Sequence, residues 1–332
     1  MPLLDVKNVK MYYELVGNRY VKAVDDVSFS LSKRSSLGVV GESGCGKSSL
    51  AITIMRLLPM NAKILQGSIL LDGKKILDMP DSALRREIRW KRISMVFQGA
   101  MNVLNPVRKI GDQMAEAITA HDNMPKKEAM AKCRELLSIV GIDPTRINHY
   151  PHEFSGGMRQ RTVIATALAL DPDVLIADEP TTALDLVVQA QILKLLKELK
   201  EKLGLSLILI SHDVSIISEM SDHVAVMYAG RIVEYGKAMD TFLEALHPYT
   251  VSLLQAVPSV KGKRKRLESI RGVPPNLANL PEGCKFAPRC NYARPECLSP
   301  EPSLDDVGKG HFVRCYGITR GWIDYGRDTD KR

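Results

Sequence analysis

The sequence predicts an α/β protein built around a parallel sheet, and three observations carry that reading. LGVV at 37–40, DVLIAD at 173–178 and LSLILIS at 205–211 are short unbroken apolar runs, as strands covered on both faces require. Between the last two, from about Leu186 to Leu203, Ile192, Leu193, Leu196, Leu199 and Leu203 recur at helical spacing, which completes a strand–helix–strand crossover unit. The glycine-rich stretch GESGCGKSSL at 41–50 directly follows the first run and opens into a helical pattern, SSLAITIMRLL, at 48–58.

The other elements follow in order. In VKAVDDVSFSLS, Val27, Phe29 and Leu31 share one face and Ser28 and Ser30 the other, the alternation of a half-exposed antiparallel strand. The stretch from 99 to 165 is mostly helical in pattern and reads as a subdomain inserted between two strand-bearing blocks. HVAVMYAGRIVEYG reads as a hairpin turning at Ala229 and Gly230. Beyond Pro258 the texture changes to the basic run KGKRKR at 261–266 and then to aperiodic, Pro/Gly-rich GVPPNLANLPEG. These shifts divide the chain into a main domain at 1–257 and a C-terminal extension at 258–332. The basic run has no interleaved aromatic residues, so it reads as a solvated linker and not as a nucleic-acid surface.

A chain of 332 residues accommodates one large domain with an appendage. Its 45% hydrophobic and 25% charged residues are those of a globular protein and exclude a disordered one. The start lacks the layout of a secretory signal and no run is long and apolar enough to span a bilayer, so the expectation is a chain that stays inside the cell. A net charge of +8 permits nucleotide, nucleic-acid or anionic-membrane partners and selects none of them.

The glycine-rich stretch fits the phosphate-loop pattern G-x-x-x-x-G-K-[ST] through Gly41, Gly46, Lys47 and Ser48, with Ser43, Gly44, Cys45 and Ser49 in the same turn. Glycines let successive N–H groups turn toward phosphate, and the positive end of the following helix adds to that field. Lys47 is placed to reach the β- and γ-phosphates of a nucleoside triphosphate and Ser48 to ligate Mg²⁺. DVLIADEP ends a buried strand in two carboxylates at the same sheet edge. There Asp178 suits the Mg²⁺ ion and Glu179 suits a general base, with its pKa expected to rise through burial beside phosphate. FSGGMRQR supplies a second glycine-led helix start at Ser155, Gly156 and Gly157.

In this order, the phosphate loop, SGG and LIADEP resemble the ABC-type P-loop NTPases. Gln98 in VFQ is similar to their Q-loop glutamine, Asp185 in ALD to their D-loop, and His212 in ISHD to their switch histidine. Tyr13, or Tyr12 beside it, matches the aromatic that stacks on adenine. AVDDVSFSL, LNPV, YPHEFSGGMRQR, DEPTTALD, VQAQIL and HPYT extend the resemblance over nearly the whole chain to the D-type ATPase subunits of oligopeptide/dipeptide ABC importers. Gly99 and Phe154 depart from the usual pattern without touching the catalytic set.

The resemblance implies a cassette with a RecA-like parallel core, an antiparallel β subdomain and an inserted helical subdomain. It implies ATP hydrolysis with Glu179, His212 and Gln98 as catalytic residues and Gln98 joining Ser48 and Asp178 around Mg²⁺. ATP is expected between the phosphate loop of one cassette and Ser155, Gly156, Gly157 and Asp185 of another. The implied partners are a second, different ATPase subunit, two integral-membrane permease subunits and, indirectly, an extracytoplasmic solute-binding protein. The implied location is the cytoplasmic face of the membrane. FQGAMNVLNP resembles archaeal or thermophilic relatives, for which oligosaccharide import is the alternative. A soluble ABC ATPase acting on nucleic acid or ribosomes is a more distant one.

Cys284, Cys290, Cys297 and Cys315 cluster near the end, with five, six and seventeen residues between them. Such spacing is wide for zinc knuckles and leaves an iron–sulfur cluster, zinc or disulfides open. The resemblance to peptide-importer subunits implies a [4Fe-4S] cluster that staples a small module.

Overall fold

The structure, a computed structural model, describes residues 1–99, 103–256 and 270–325. The domain boundary drawn at 257/258 and the basic run at 261–266 lie outside the described residues. β1 (Leu4–Leu15), β2 (Arg19–Leu31), β3 (Ser36–Val40), α1 (Lys47–Ile54), β4 (Ala62–Leu71), β5 (Lys74–Lys75), α2 (Asp81–Glu87) and β6 (Ile93–Val96) come first. The helices α3 (Ile110–His121), α4 (Lys126–Ile139) and α5 (Gly156–Ala167) follow. The chain then alternates through β7 (Val174–Asp178), α6 (Leu186–Leu203), β8 (Ser206–Ser211), α7 (Val214–Met220) and β9 (His223–Tyr228). β10 (Arg231–Lys237), α8 (Ala238–Leu243) and α9 (Pro248–Gln255) lead to β11 (Asp305–Asp306), β12 (Phe312–Val313) and α10 (Tyr316–Thr319).

The main sheet has the order β11-β12-β10-β9-β3-β8-β7-β6, parallel from β9 to β6. Every residue of β3, β7 and β8 is buried, as their unbroken apolar character requires of strands covered on both faces. One core cluster lies between the sheet and the helices α3 to α6; a second joins α1 and the other face to the antiparallel sheet β2-β1-β4-β5. In β2 the expected alternation holds: Val27, Phe29 and Leu31 are buried while Ser30 is exposed.

Three differences from the sequence reading have local causes. The helix after the phosphate loop ends at Ile54 instead of continuing to 58, because Arg56 takes a left-handed φ of 50° and donates to the Ile76 and Met79 carbonyls. α6 has the expected bounds, yet Leu195 is buried and Leu203, in its last turn, is 46% exposed. The C-terminal segment is not a separate appendage throughout. β12 pairs antiparallel with β10 through Glu234–Val313 and Tyr235–Phe312, since β10 turns back from β9 and leaves an edge free. The β9–β10 turn falls at Ala229 and Gly230, φ 49° and 80°, the left-handed pair that a two-residue hairpin needs.

Parallel pairing sends the carboxyl ends of β6, β3, β7 and β8 to one edge of the sheet. That edge is where an open α/β sheet places its ligand site.

Candidate nucleotide site

The phosphate loop leaves β3 at Val40 and enters α1 at Lys47. Gly46 has φ 107° and a Cβ there would lie 2.0 Å from the Ala23 carbonyl of β2, so the loop packs against that strand only as glycine. Ser43, Gly44 and Ser48 are exposed, whereas Gly41, Cys45, Gly46 and Lys47 are buried. Lys47 Nζ donates to the carbonyls of Gly41 (2.8 Å) and Glu42 (2.9 Å), which holds its ammonium inside the curl of the loop. The Cys45 thiol is raised in pKa by burial and is a packing residue beneath it.

Two carboxylates stand at the end of β7. Asp178 is 2% exposed and its Oδ1 has no hydrogen-bond partner among the described residues. Burial raises its pKa and the Glu179 charge adds to the rise, against the pull of a hydrogen bond with Ser48 and the Lys47 charge. A buried, unpartnered carboxylate oxygen next to a serine hydroxyl suits a hard divalent cation, so these residues fit Mg²⁺.

Glu179 sits in a left-handed backbone conformation, φ 45°, that aims its carboxylate into a polar cluster. Oε2 accepts from Gln98 Nε2 at 2.8 Å and from Thr182 Oγ1 at 2.9 Å, and Oε1 lies 3.1 Å from His212 Nδ1. The protein's own groups act against the rise expected from burial beside phosphate: burial pushes the pKa up, but hydrogen bonds from His212 and Thr182 and the charges of His212 and Lys47 outweigh burial and lower it. The raised carboxylate of the pair is Asp178. Adjacent acids with diverging pKa values divide into metal ligand and base.

Tyr13 and Tyr12 point to opposite tasks. The Tyr13 hydroxyl is 3.1 Å from Ser49 Oγ in α1, beside the loop. The Tyr12 hydroxyl donates to Asp25, which is itself paired with Arg231, so Tyr12 is committed to a structural network. Ser155 caps α5, accepting from Met158 N, and Asp185 caps α6, accepting from Val188 N at 2.9 Å. A Cβ on Gly157 would lie 2.7 Å from Val188 Cγ1, so the two helix starts lie side by side. Gly156 opens α5, and no hydrogen bond joins Ser155, Gly156 or Gly157 to the phosphate loop of the same chain among the described residues.

Cys284, Cys290, Cys297 and Cys315 line one small cavity of about 10 Å³ together with Tyr292 and Trp322, and all are free thiols. Burial pushes Cys284 up to about 12 and Cys315 up to about 11, and raises Cys290. Among the described residues no group of three or more His, Cys, Asp or Glu converges closely enough to hold a single metal ion.

Sequence reasoning missed Thr182, whose signal was its place three residues past Glu179 in DEPTTALD. It also missed Glu42, the loop residue that the C-terminal segment holds.

The description "ABC transporter" matches residues 24–182 and "Oligopeptide/dipeptide transporter, C-terminal region" matches residues 233–297. The oligopeptide transport ATP-binding protein OppD of Haemophilus influenzae is 44% identical over 95% of this chain and 97% of its own length. AppD of Bacillus subtilis is 45% identical over 95% and 96%, and OppD of Escherichia coli 45% over 95% and 93%. Among solved structures, the dimeric post-hydrolysis ATP-binding cassette MJ0796 bound to ADP and Pi superimposes with a TM-score of 0.62 at 29% identity, covering 71% of this chain and 98% of that one. The cbiO1 cassette of Clostridium perfringens gives 0.62 at 28%, over 73% and 91%. With this sequence likeness along almost its full length and a nucleotide site at the expected sheet edge, the chain belongs to the ABC transporter family as an ATP-hydrolysing subunit of the oligopeptide/dipeptide type.

Proposed function

We propose that this chain drives the import of oligopeptides or dipeptides through a membrane complex by hydrolysing ATP. The observation that carries it is the convergence of Gln98, Thr182 and His212 on Glu179 beside the phosphate loop. Peptide as the solute is supported by the printed names of the relatives, and none of these names supports an oligosaccharide.

In this reading the loop from Gly41 to Ser49 cradles the triphosphate, Lys47 neutralises its terminal charge and Tyr13 meets the adenine. Ser48, Asp178 and Gln98 would hold Mg²⁺, which would supply charge neutralisation on the transferred phosphoryl group. Glu179 accepts the proton of the attacking water and His212 holds the carboxylate in line. Ser155, Gly156, Gly157 and Asp185 serve the nucleotide of a facing cassette, a reading supported by the dimeric state of the MJ0796 structure. The facing cassette is a second, different subunit, and the pair docks on two permease subunits at the cytoplasmic face, supplied by a solute-binding protein. Residues 1–257 form the cassette, with its helical subdomain at 99–165, and 258–332 the extension.

A second site is favoured by the shared cavity of the four C-terminal thiols. Their failure to converge on one point disfavours a single zinc ion, and four thiols around one cavity are the donor set of a [4Fe-4S] cluster held by Cys284, Cys290, Cys297 and Cys315, for which the cavity of about 10 Å³ would have to open. The cluster would cross-link a segment in which Val313, Cys315 and Ile323 pack with Leu246 of the main domain as a small core of their own. Iron and sulfide are expected on anaerobic purification; a colourless, iron-free protein refutes the cluster.

The test of the main reading is purification of the complex in mild detergent and measurement of ATPase with its binding protein. Stimulation by peptides and not by sugars supports it. Brisk hydrolysis by the lone chain, or stimulation by sugars alone, overturns it.

A further inference from the structure

Every polar group of Glu42, the second residue of the phosphate loop, has a partner, and its N–H and carboxylate are held by distant parts of the chain. Its N–H donates to the Tyr249 hydroxyl of α9 at 2.7 Å, and its carbonyl accepts from Lys47 Nζ at 2.9 Å. Its carboxylate takes a two-pronged ion pair from Arg289: Nη1 to Oε2 at 2.6 Å and Nη2 to Oε1 at 2.9 Å. Arg289 lies 247 positions away, in the short turn between Cys284 and Cys290.

The arginine is as fixed as the loop it grips. Its side chain is 6% exposed, Nε donates to the Arg271 carbonyl at 2.7 Å, and the guanidinium lies 5.7 Å from the Tyr228 ring and 5.9 Å from that of Phe286. Tyr228, Tyr249 and Phe286 pack as a three-ring cluster, with centroids 4.6 to 5.5 Å apart, so the two groups that hold Glu42 share one support. A planar guanidinium fork meeting a carboxylate sets its orientation as well as its charge. Because the Glu42 carbonyl is one of the two carbonyl acceptors of Lys47 Nζ, a shift of Glu42 moves the ammonium that meets the phosphates.

We propose that Arg289 is a positioning residue for the nucleotide reaction: reaching in from the C-terminal segment, it fixes Glu42 and through it Lys47. The C-terminal segment is then a working part of the ATP site. The inference rests on the phosphate loop being that site, and it is independent of what the cysteine cavity holds.

The experiment uses the full chain, with trinitrophenyl-ATP as the binding probe and thermal melting as the control for folding. ATPase kinetics of the assembled transporter complete it. Arg289→Met weakens nucleotide binding by about tenfold and Arg289→Lys recovers only part of it, since a lysine keeps the charge and loses the fork. Glu42→Gln matches Arg289→Met, and the double variant is no worse than either single one. In the transporter the change appears in KM for ATP more than in kcat. Should Arg289→Met not fold, Arg289→Lys and Glu42→Gln carry the same comparison. Variants that melt lower yet bind nucleotide as the wild type does overturn the proposal and leave Arg289 a staple. Lys47→Ala separates the two readings: wild-type binding there removes the loop as the ATP site, whereas lost binding there beside wild-type affinity in Arg289→Met removes Arg289 alone.

Discussion

Gln98 Nε2 donates to Glu179 Oε2 at 2.8 Å, joining the second residue past β6 to the carboxylate just past β7 that is the proposed base. The two strands are parallel neighbours, Val96 opposite Ala177, so their ends are carried side by side whatever the loops beyond them do. Any displacement of the segment after β6 is therefore felt at the carboxylate proposed to handle the attacking water. That is the short physical link by which a membrane partner touching this segment would communicate with hydrolysis.

Glu179→Gln keeps the size and most hydrogen bonds of the side chain and removes its basicity. A positioned base contributes roughly 10²- to 10⁴-fold, so turnover in the assembled complex is expected to fall by that factor, about 3 to 5 kcal/mol of transition-state stabilisation. Nucleotide affinity stays near wild type. Undiminished turnover would take Glu179 out of the chemistry.

The lowered pKa of Glu179 keeps it ionised, and so able to act as a base, further into acid than an ordinary glutamate. Thr182→Val deletes one of the hydrogen bonds that lower it, so the acid limb of the kcat profile should move to higher pH. A limb that stays put or moves the other way would show that Thr182 does not tune the base.

Gly157→Ala places a methyl carbon 2.7 Å from Val188 Cγ1 and must push the start of α5 away from α6. Overpacking of this kind costs about 1 to 3 kcal/mol. The expected result is reduced ATPase in the transporter, restored when Val188→Ala is added in the same chain. Without that restoration, the spacing of these two helix starts is not what limits activity.

His247, 1% exposed and accepting the Tyr249 N–H at Nδ1, has its pKa pushed down to about 3 by burial, from 6.5. The unfolded chain therefore binds this proton first as pH falls. The stability is whole above the unfolded value and drains away between 6.5 and about 3, at about 1.4 kcal/mol per pH unit. Urea unfolding at about pH 7.5 and about pH 5 should show wild type losing more stability than His247→Gln. Equal losses would mean that His247 is already protonated in the fold.

Much of this site could be read from short stretches of chain. The buried strands at 37–40, 174–178 and 206–211 declared themselves as unbroken apolar runs, and the bounds of α6 were those of its apolar period. The phosphate loop was legible because its glycines answer to local backbone demands, as Gly46 does against Ala23. The hairpin turn at Ala229 and Gly230 was legible for the same reason.

Patterns that repeat over a few residues report backbone geometry, and backbone geometry is local. The lowering of the Glu179 pKa was not legible because it depends on which donors the fold gathers: Gln98 from past β6, Thr182 from the turn after β7 and His212 from past β8 meet at one carboxylate, and among the described residues none reaches Asp178 Oδ1. The return of β12 to the edge of β10, and the grip of Arg289 on Glu42, join parts of the chain 77 and 247 positions apart. Nothing in either partner's neighbourhood announces such pairings. They exist because packing leaves one strand edge free and one guanidinium buried, and a charge or a hydrogen-bonding edge out of water must find its complement wherever the fold presents it.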